Sequence, residues 1–225
     1  MQKITVDKLP RYIQVSSTLE FSRLVCALER APRVSFLHEH NGQKVLSVQM
    51  DILKEKPIVY YTPFEHTGHY ICYGLKGGKE ESDIVNSTSD ASKLYSPIVR
   101  IKSLPDALKP GNGTADRYLP IELEDLSSLA KLTWGFEESP FPLFLFPHTD
   151  KWLVGVFMNF SEEGTSYFCH VVLDSDPKKP FLKFTTNNDA EPSFVENPSE
   201  HGYSYIKIIK LKETHPLVDY GHLQN

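Results

Sequence analysis

Nine histidines are the residues of this 225-residue chain that most readily suggest chemistry. His38 and His40 stand two positions apart in an apolar run, so on a strand their side chains would share one face. His66 and His69 fall in a predicted turn, next to Glu65. Two imidazoles and a carboxylate can hold a divalent cation. Neither pair has the spacing of a specific metal motif, so the sequence favours solvated histidines at a hairpin tip and in a loop.

Residues able to act as nucleophiles show no pattern of catalysis. No Gly-x-Ser-x-Gly segment is present for a serine nucleophile. Cys26, Cys72 and Cys169 fall inside apolar helix or strand patterns, which predicts small core residues kept reduced in the cytoplasm. Glu137-Glu138 and Glu162-Glu163 lie in predicted turns, where solvated side chains are the simpler interpretation. The sequence therefore predicts no catalytic residue and no metal ligand.

Aromatic residues form a dense cluster in the C-terminal half of the chain. Inside a barrel, such residues most often fill the core, and they can instead line a cavity for a flavin or another planar ligand. Both alternatives fit the cluster, which comprises Phe136, Phe141, Phe144, Phe146, Trp152, Phe157 and Phe160.

The composition excludes several classes of partner. The formal net charge is −5 and the Lys and Arg residues are scattered, so no nucleic-acid partner is expected. No run of about 18 apolar residues is present, and the first residues lack the apolar run of a signal peptide, so we expect no membrane span and no secretion. A cytoplasmic protein with a core that needs no disulfide is predicted.

The elements that would position these residues begin with a strand, a capped helix and a hairpin. A strand is predicted at 12–15. Ser17 and Glu20 have the spacing of a capping box, and the apolar residues after them repeat at helical spacing until Pro32 stops the helix. Asn41-Gly42 lies between two strand-like runs and predicts a two-residue hairpin turn.

Further strands and one long loop complete the predicted N-terminal part. Residues 76–96 are polar and poor in large apolar groups, which predicts a loop. Strands are predicted on either side of it, at 58–61, 70–75 and 98–104. The Pro-Gly-Asn-Gly-Thr segment at 110–114 is the predicted domain boundary.

Beyond that boundary the pattern changes from helical to strand-like. One short helix is predicted at 123–130 and is followed by five strand-like runs, at 141–146, 151–160, 165–174, 181–186 and 203–211. We therefore predict an α+β fold with an N-terminal strand–helix–hairpin domain at 1–109. A β-rich, antiparallel, split-barrel-like domain is predicted at 115–225.

Two N-terminal segments, 11–20 and 32–48, resemble the opening of the UbiD-type decarboxylases, which use prenylated flavin mononucleotide. The family pattern there is a strand, an amphipathic helix after a Leu-Glu-like step, and a hairpin across an Asn/Lys-Gly turn. Tyr118-Leu-Pro-Ile121 is similar to the family's Leu-Pro-Ile entry to its middle domain, which is a split β-barrel. The resemblance covers most of this chain and about the first half of a full family member.

The segment from Leu153 to Met158 resembles the family's Asn-Val-Gly-Ile-Tyr-Arg. In the family, the Asn helps to hold a metal that bridges to the flavin phosphate, and the Arg is catalytic. Leu153 and Met158 stand at those two places and supply neither a ligand oxygen nor a charge. The family's metal-binding His would fall near Asp174, with His170 four residues earlier. The resemblance thus implies that the family's decarboxylation has been lost.

Three functions follow from these patterns. The leading hypothesis is a truncated, UbiD-related, non-catalytic protein that acts as a ligand-binding or partner subunit, with no cofactor and possible self-association. The alternative is an active (de)carboxylase that binds prenylated flavin mononucleotide and a divalent metal through relocated ligands, His170 and Asp174. The third hypothesis is an unrelated intracellular protein-interaction module.

Overall fold

Two β-sheets and two helices make up the part of the chain that the structure describes. The computed structural model describes residues 11–26, 33–50, 58–102, 119–134, 141–148, 150–159, 166–174, 177–185 and 190–210. Most described residues lie in strands, so the coarse α+β prediction is confirmed as a mainly β fold with two helices. Neither described helix has the length and apolar character needed to cross a membrane.

The first sheet is built from the N-terminal strands. These are β1 (Arg11–Gln14), β2 (Ser35–His40), β3 (Gln43–Met50), β4 (Ile58–Pro63), β5 (Tyr70–Lys76), β6 (Lys79–Val85) and β7 (Leu94–Arg100). Their order is β1-β4-β3-β2-β7-β5-β6. The β1–β4 and β2–β7 pairs are parallel, and the other neighbours are antiparallel.

Helix α1 (Thr18–Cys26) begins at the predicted capping residues and covers one face of this sheet. The Glu20 amide donates to Ser17 Oγ at 3.2 Å, while the Glu20 carboxylate accepts from the amide of Ser16 at 3.1 Å. The carboxylate thus reaches one residue further back than a simple capping box. Phe21 and Val25, both fully buried, anchor the apolar face of the helix in the cluster beneath it.

The first sheet contains one hairpin that the sequence predicts and one that it does not. The turn predicted at Asn41-Gly42 is present, and both residues have positive φ, 51° and 75°, as a type I′ turn requires. The loop predicted at 76–96 is wrong in part, because β6 occupies Lys79–Val85 and pairs with β5 across Gly77-Gly78. β6 is an edge strand with mostly exposed residues, so it lacks the alternation that marks a half-buried strand.

The second sheet contains the five predicted C-terminal strands and two more. Its strands are β8 (Leu119–Glu122), β9 (Leu143–His148), β10 (Lys151–Asn159), β11 (Ser166–Leu173), β12 (Phe181–Phe184), β13 (Ser193–Val195) and β14 (Ser204–Lys210). The order is β13-β12-β14-β9-β10-β11-β8. The prediction of a β-rich, antiparallel, split-barrel-like sheet is confirmed only in its coarse form. β8–β11 and β14–β9 are parallel, and the curled sheet forms a half-barrel.

Helix α2 (Leu126–Trp134) connects the two sheets. It packs on β7 of the first sheet and on β10 and β11 of the second. One buried cluster joins side chains of both sheets and the helix, and a bridge between Ile101 and Leu123 links the sheets through the backbone. The predicted boundary at 110–114 lies outside the described residues, so the division into domains at 1–109 and 115–225 stays a prediction.

Candidate functional site

Lys131 is the one Lys, Arg, Asp or Glu that is buried, among the residues whose burial the structure describes. Only 7% of its surface is exposed. Charged side chains are almost never buried in proteins unless they are paired, because burial removes their hydration. A buried lysine is therefore the strongest indication of a functional site in the described part of this chain.

The burial of Lys131 follows from where α2 lies. Asp125 caps the helix, since its Oδ1 accepts a hydrogen bond from the Ser128 amide at 2.7 Å. Leu129 and Leu132 are fully buried, and so is most of the helix around them. A helix enclosed on several sides has no broad solvent face for a charged residue. Burial of the neighbouring helix residues, Leu129 and Leu132, therefore keeps Lys131 inside the fold as well.

The partner of Lys131 is His69, which directly precedes β5. Lys131 Nζ lies 2.9 Å from His69 Nδ1. An ammonium can only donate, so in this contact Nδ1 accepts and a neutral His69 carries its proton on Nε2. The backbone of His69 is fixed on both sides, because its amide donates to the Val85 carbonyl at 2.9 Å and its carbonyl accepts from the Ile98 amide at 2.8 Å.

Gly68 allows this placement of His69. A Cβ atom at position 68 would lie 2.5 Å from Ile84 Cγ2 and 3.1 Å from the Val85 carbonyl oxygen. A side chain would therefore push the loop away from β6 and move His69 away from Lys131. The residue before the histidine is small because the backbone passes close to its neighbour.

The electrostatic surroundings of Lys131 favour its neutral form. Burial lowers the pKa of Lys131 from 10.5 to about 8, Asp125 opposes this shift, and Arg100 adds to it. Arg100 is held nearby because its backbone amide donates to Ser128 Oγ, on the same helix, at 3.2 Å. Two cationic side chains thus share a region in which the described residues provide no buried carboxylate.

This arrangement can support two kinds of chemistry. In its ammonium form, Lys131 can bind a carboxylate or a phosphate, helped by Arg100. In its neutral form, it is an amine nucleophile, and His69 can accept the proton that activates it. Both need the same contact between Nζ and Nδ1.

The histidines predicted as metal ligands are separated from one another in the fold. His38 is buried, and its Nε2 lies 2.9 Å from Ser47 Oγ. Its Nδ1 lies 3.2 Å from the Glu39 carbonyl oxygen, which can only accept. His40 is half-buried and stacks on Tyr12, with 5.0 Å between the ring centroids. Burial lowers the pKa of His38, so this histidine is a neutral member of the core.

The members of the second predicted group, Glu65, His66 and His69, also lie apart in their contacts. His66 and Glu65 are exposed, whereas His69 turns to Lys131. Within the described residues, no group of three or more His, Cys, Asp or Glu side chains is placed to hold a metal ion. The sequence analysis thus named His69, although as a possible metal ligand, and it did not identify Lys131. The available signal was a lysine flanked directly by two apolar residues, Ala130 and Leu132.

The cysteines are buried thiols, as the sequence predicts. Burial raises the pKa of Cys26 to about 12, and it also raises the pKa of Cys72 and Cys169. Thiols with raised pKa values stay protonated at neutral pH and are poor nucleophiles. Glu137-Glu138 and Glu162-Glu163 lie outside the described residues.

The residues at the UbiD-like positions do not fit the family's metal and flavin. Leu153 and Met158 are buried, with 1% and 7% exposed. His170 is buried and stacks on Phe168, whereas the Asp174 side chain is 97% exposed and lies 3.4 Å from Lys151 Nζ. Four residues along a strand span about 13 Å, which is too far for two ligands of one ion. The described residues therefore provide no common site for His170 and Asp174.

The predicted aromatic cluster is in part a set of stacked rings on the second sheet. The Phe157 ring lies 5.3 Å from Phe144 and 4.7 Å from Phe168, measured between centroids. These edge-to-face and tilted contacts are typical of packed aromatic side chains. Phe136 and Phe160 lie outside the described residues.

Comparison with protein-family models, with curated protein sequences and with solved structures returns no match. The resemblance to the UbiD-type decarboxylases therefore stays a prediction that depends on the sequence segments quoted above.

Proposed function

We propose that this chain is a ligand-binding protein of UbiD-type ancestry that does not carry out prenylated-flavin decarboxylation, and that its ligand is a small anion bound at Lys131. The observation that carries the proposal is the buried Nζ of Lys131, 2.9 Å from His69 Nδ1. The split-barrel description of residues 115–225, and a role as a partner subunit or homo-oligomer, belong to the same proposal.

The energetics of Lys131 support an anionic ligand. Without a ligand, the site holds a partly desolvated ammonium beside Arg100, and the lowered pKa of Lys131 reports that the charged form is disfavoured. A carboxylate or phosphate would add negative charge to that of Asp125 and form charge-assisted hydrogen bonds. Binding of the anion would raise the pKa of Lys131 again, so the complex should take up protons at about pH 8.

The loss of decarboxylation is supported by Leu153 and Met158. Both are packed among other buried side chains, at the places where the resemblance has the metal-binding Asn and the catalytic Arg. A site there would have to displace the core. The test is a visible absorption spectrum and a metal analysis of protein co-expressed with a flavin prenyltransferase. Colourless, metal-free protein is expected, and a bound flavin with a stoichiometric divalent ion would contradict this part of the proposal.

Anion binding is tested by thermal unfolding in increasing concentrations of lactate and of inorganic phosphate, against sodium chloride at the same ionic strength. A ligand that binds only the folded state raises the melting temperature in a saturable manner. We expect this rise in the native chain and not in Lys131→Met. Lys79→Met is the matched control, because Lys79 is exposed on edge strand β6 and its loss should leave the rise unchanged.

Phosphate also stabilises proteins by exclusion from their surface, so the decisive quantity is the difference between variants. An equal rise in the native chain and in Lys131→Met would overturn the proposed anion site.

A further inference from the structure

We infer that Lys131 forms an imine with its ligand, and that the ligand is therefore a 2-oxo acid, with a ketone carbon next to a carboxylate. This inference rests on the proposed function, which supplies the carboxylate, and it adds a covalent bond between Lys131 Nζ and the ligand. Its structural basis is the contact of a buried amine with an imidazole nitrogen at 2.9 Å, on a helix whose Ser128 Oγ accepts a hydrogen bond from the Arg100 amide.

The first requirement of an imine is a neutral amine. An ordinary lysine is almost entirely protonated at neutral pH, whereas an amine with a pKa of about 8 is neutral in roughly one molecule in ten at pH 7. A desolvated lysine beside another cationic group is one of the known ways to activate an amine nucleophile. Lys131 has both features, burial and the neighbouring charge of Arg100.

The second requirement is a group that carries protons, and His69 occupies that place. The Lys131 ammonium gives one proton to His69 Nδ1, and the Nζ lone pair attacks the ketone carbon. One of the two protons left on Nζ moves to the former carbonyl oxygen, which yields a neutral carbinolamine. His69 returns its proton to the hydroxyl group, which leaves as water while the C=N bond forms. The product is a protonated imine plus one water, and nothing is oxidised or reduced.

The third requirement is a partner for the carboxylate of the ligand. Ser128 and Lys131 are three positions apart on α2, so they lie on neighbouring parts of one helix face. Ser128 Oγ holds the backbone of Arg100 at 3.2 Å, which fixes that strand residue relative to Lys131. A ligand with its ketone at Nζ and its carboxylate toward Arg100 uses both cations. A simple aldehyde would use only one.

Reductive trapping tests the covalent bond. The native chain is incubated with pyruvate and sodium cyanoborohydride at pH 7, and the modified lysines are located by peptide mass mapping. We expect one carboxyethyl group at Lys131, formed at least about tenfold faster than at exposed lysines because more of the Lys131 amine is neutral. Lys131→Arg should lose this product, and Lys79→Arg should keep it, because Lys79 lies on the exposed edge strand.

His69→Gln separates proton transfer from positioning. Glutamine keeps an acceptor for Lys131 and cannot carry a proton, so trapping should slow by about tenfold or more. Trapping at an unchanged rate in His69→Gln would overturn the role assigned to the imidazole.

Lactate distinguishes this inference from the proposed function, because it has the carboxylate and lacks the ketone. If lactate raises the melting temperature while pyruvate is not trapped at Lys131, the imine is overturned and the anion site stands. If neither lactate nor pyruvate shifts the melting temperature and no trapping occurs, both are overturned. Equal trapping across all exposed lysines also overturns the imine.

Discussion

His38–Ser47 in the first sheet and His69–Lys131 beside α2 are two polar pairs with the same contact distance and opposite consequences. Each joins a ring nitrogen to its partner atom at 2.9 Å. The first pair is neutral and lies wholly inside the sheet, where a hydroxyl and a carbonyl occupy both nitrogens of the imidazole. The second pair buries an amine beside Arg100.

The difference lies in charge and not in geometry. A satisfied neutral network costs little to bury and helps to fix one arrangement of the core. A buried charge that is only partly compensated reduces stability, and groups with strongly shifted pKa values cluster at functional sites. We therefore expect changes at the first pair to destabilise the fold, and removal of the charge at the second to stabilise it.

The largest expected effect is at the neutral pair. His38→Ala should lower the free energy of unfolding by about 3 kcal/mol, because it leaves a cavity and removes the partner of Ser47 Oγ. Urea denaturation at pH 7 measures the change. His66→Ala is the matched control, since His66 is exposed and its loss should cost within about 0.5 kcal/mol. Similar losses in both variants would refute the structural role of His38.

Lys131→Met should act in the opposite direction. Below about pH 8, Lys131 is protonated in both the folded and the unfolded chain, and the full penalty of burying its charge is present. From there to about pH 10.5, only the unfolded state holds the extra proton, so the native chain gains stability as the pH rises. The variant should be more stable by about 2 kcal/mol at pH 7, after the lost hydrogen bond is subtracted.

Urea unfolding at several pH values checks this difference, which should shrink as the pH rises and reverse in sign above about pH 10.5, where only the lost hydrogen bond remains. Lys79→Met, on the exposed edge strand, should show no such pH dependence. A Lys131→Met protein that is less stable than the native chain at pH 7 would reverse the comparison between the two pairs.

The smallest expected effect is at Asp125, where the charge can be removed without losing the cap. Asp125→Asn keeps an oxygen for the Ser128 amide and removes the negative charge that raises the pKa of Lys131. The pKa of Lys131 should fall further, and stability should change by only about 0.5 kcal/mol. An NMR titration of the lysine side chains measures the shift. An unchanged pKa of Lys131 would show that Asp125 does not influence the site.

Local signals account for what could be predicted of the fold. The turn at Asn41-Gly42 needs two adjacent residues of positive φ, and Asn followed by Gly is the pair of residue types that most favours this conformation. The strand β6 gives no such signal, because most of its residues are exposed and only Ile84 and Val85 are large and apolar. The parallel pairing of β14 with β9 depends on segments far apart in the chain, and turn chemistry carries no information about it.

The candidate site could be predicted only in part, for the same reason. His69 attracted notice as a histidine, but its partner is 62 positions away in the sequence. Lys131 looks like an ordinary helix residue until the packing of α2 against both sheets is known. Burial of a charge is a property of the assembled fold, so periodicity within one helix cannot reveal it.

The parallel pairing of β2 with β7 also governs how this chain is made. Ser35 of β2 pairs with Ile98 of β7, and synthesis at about 5–20 residues per second separates the two by roughly 3 to 13 seconds. During that interval β2 can pair with β3, while its other edge stays open to a neighbouring chain. Aggregation of newly made protein is therefore expected to begin at the open edge of β2. The yield of folded protein should rise when the ribosome crosses the segment between β3 and β7 more quickly.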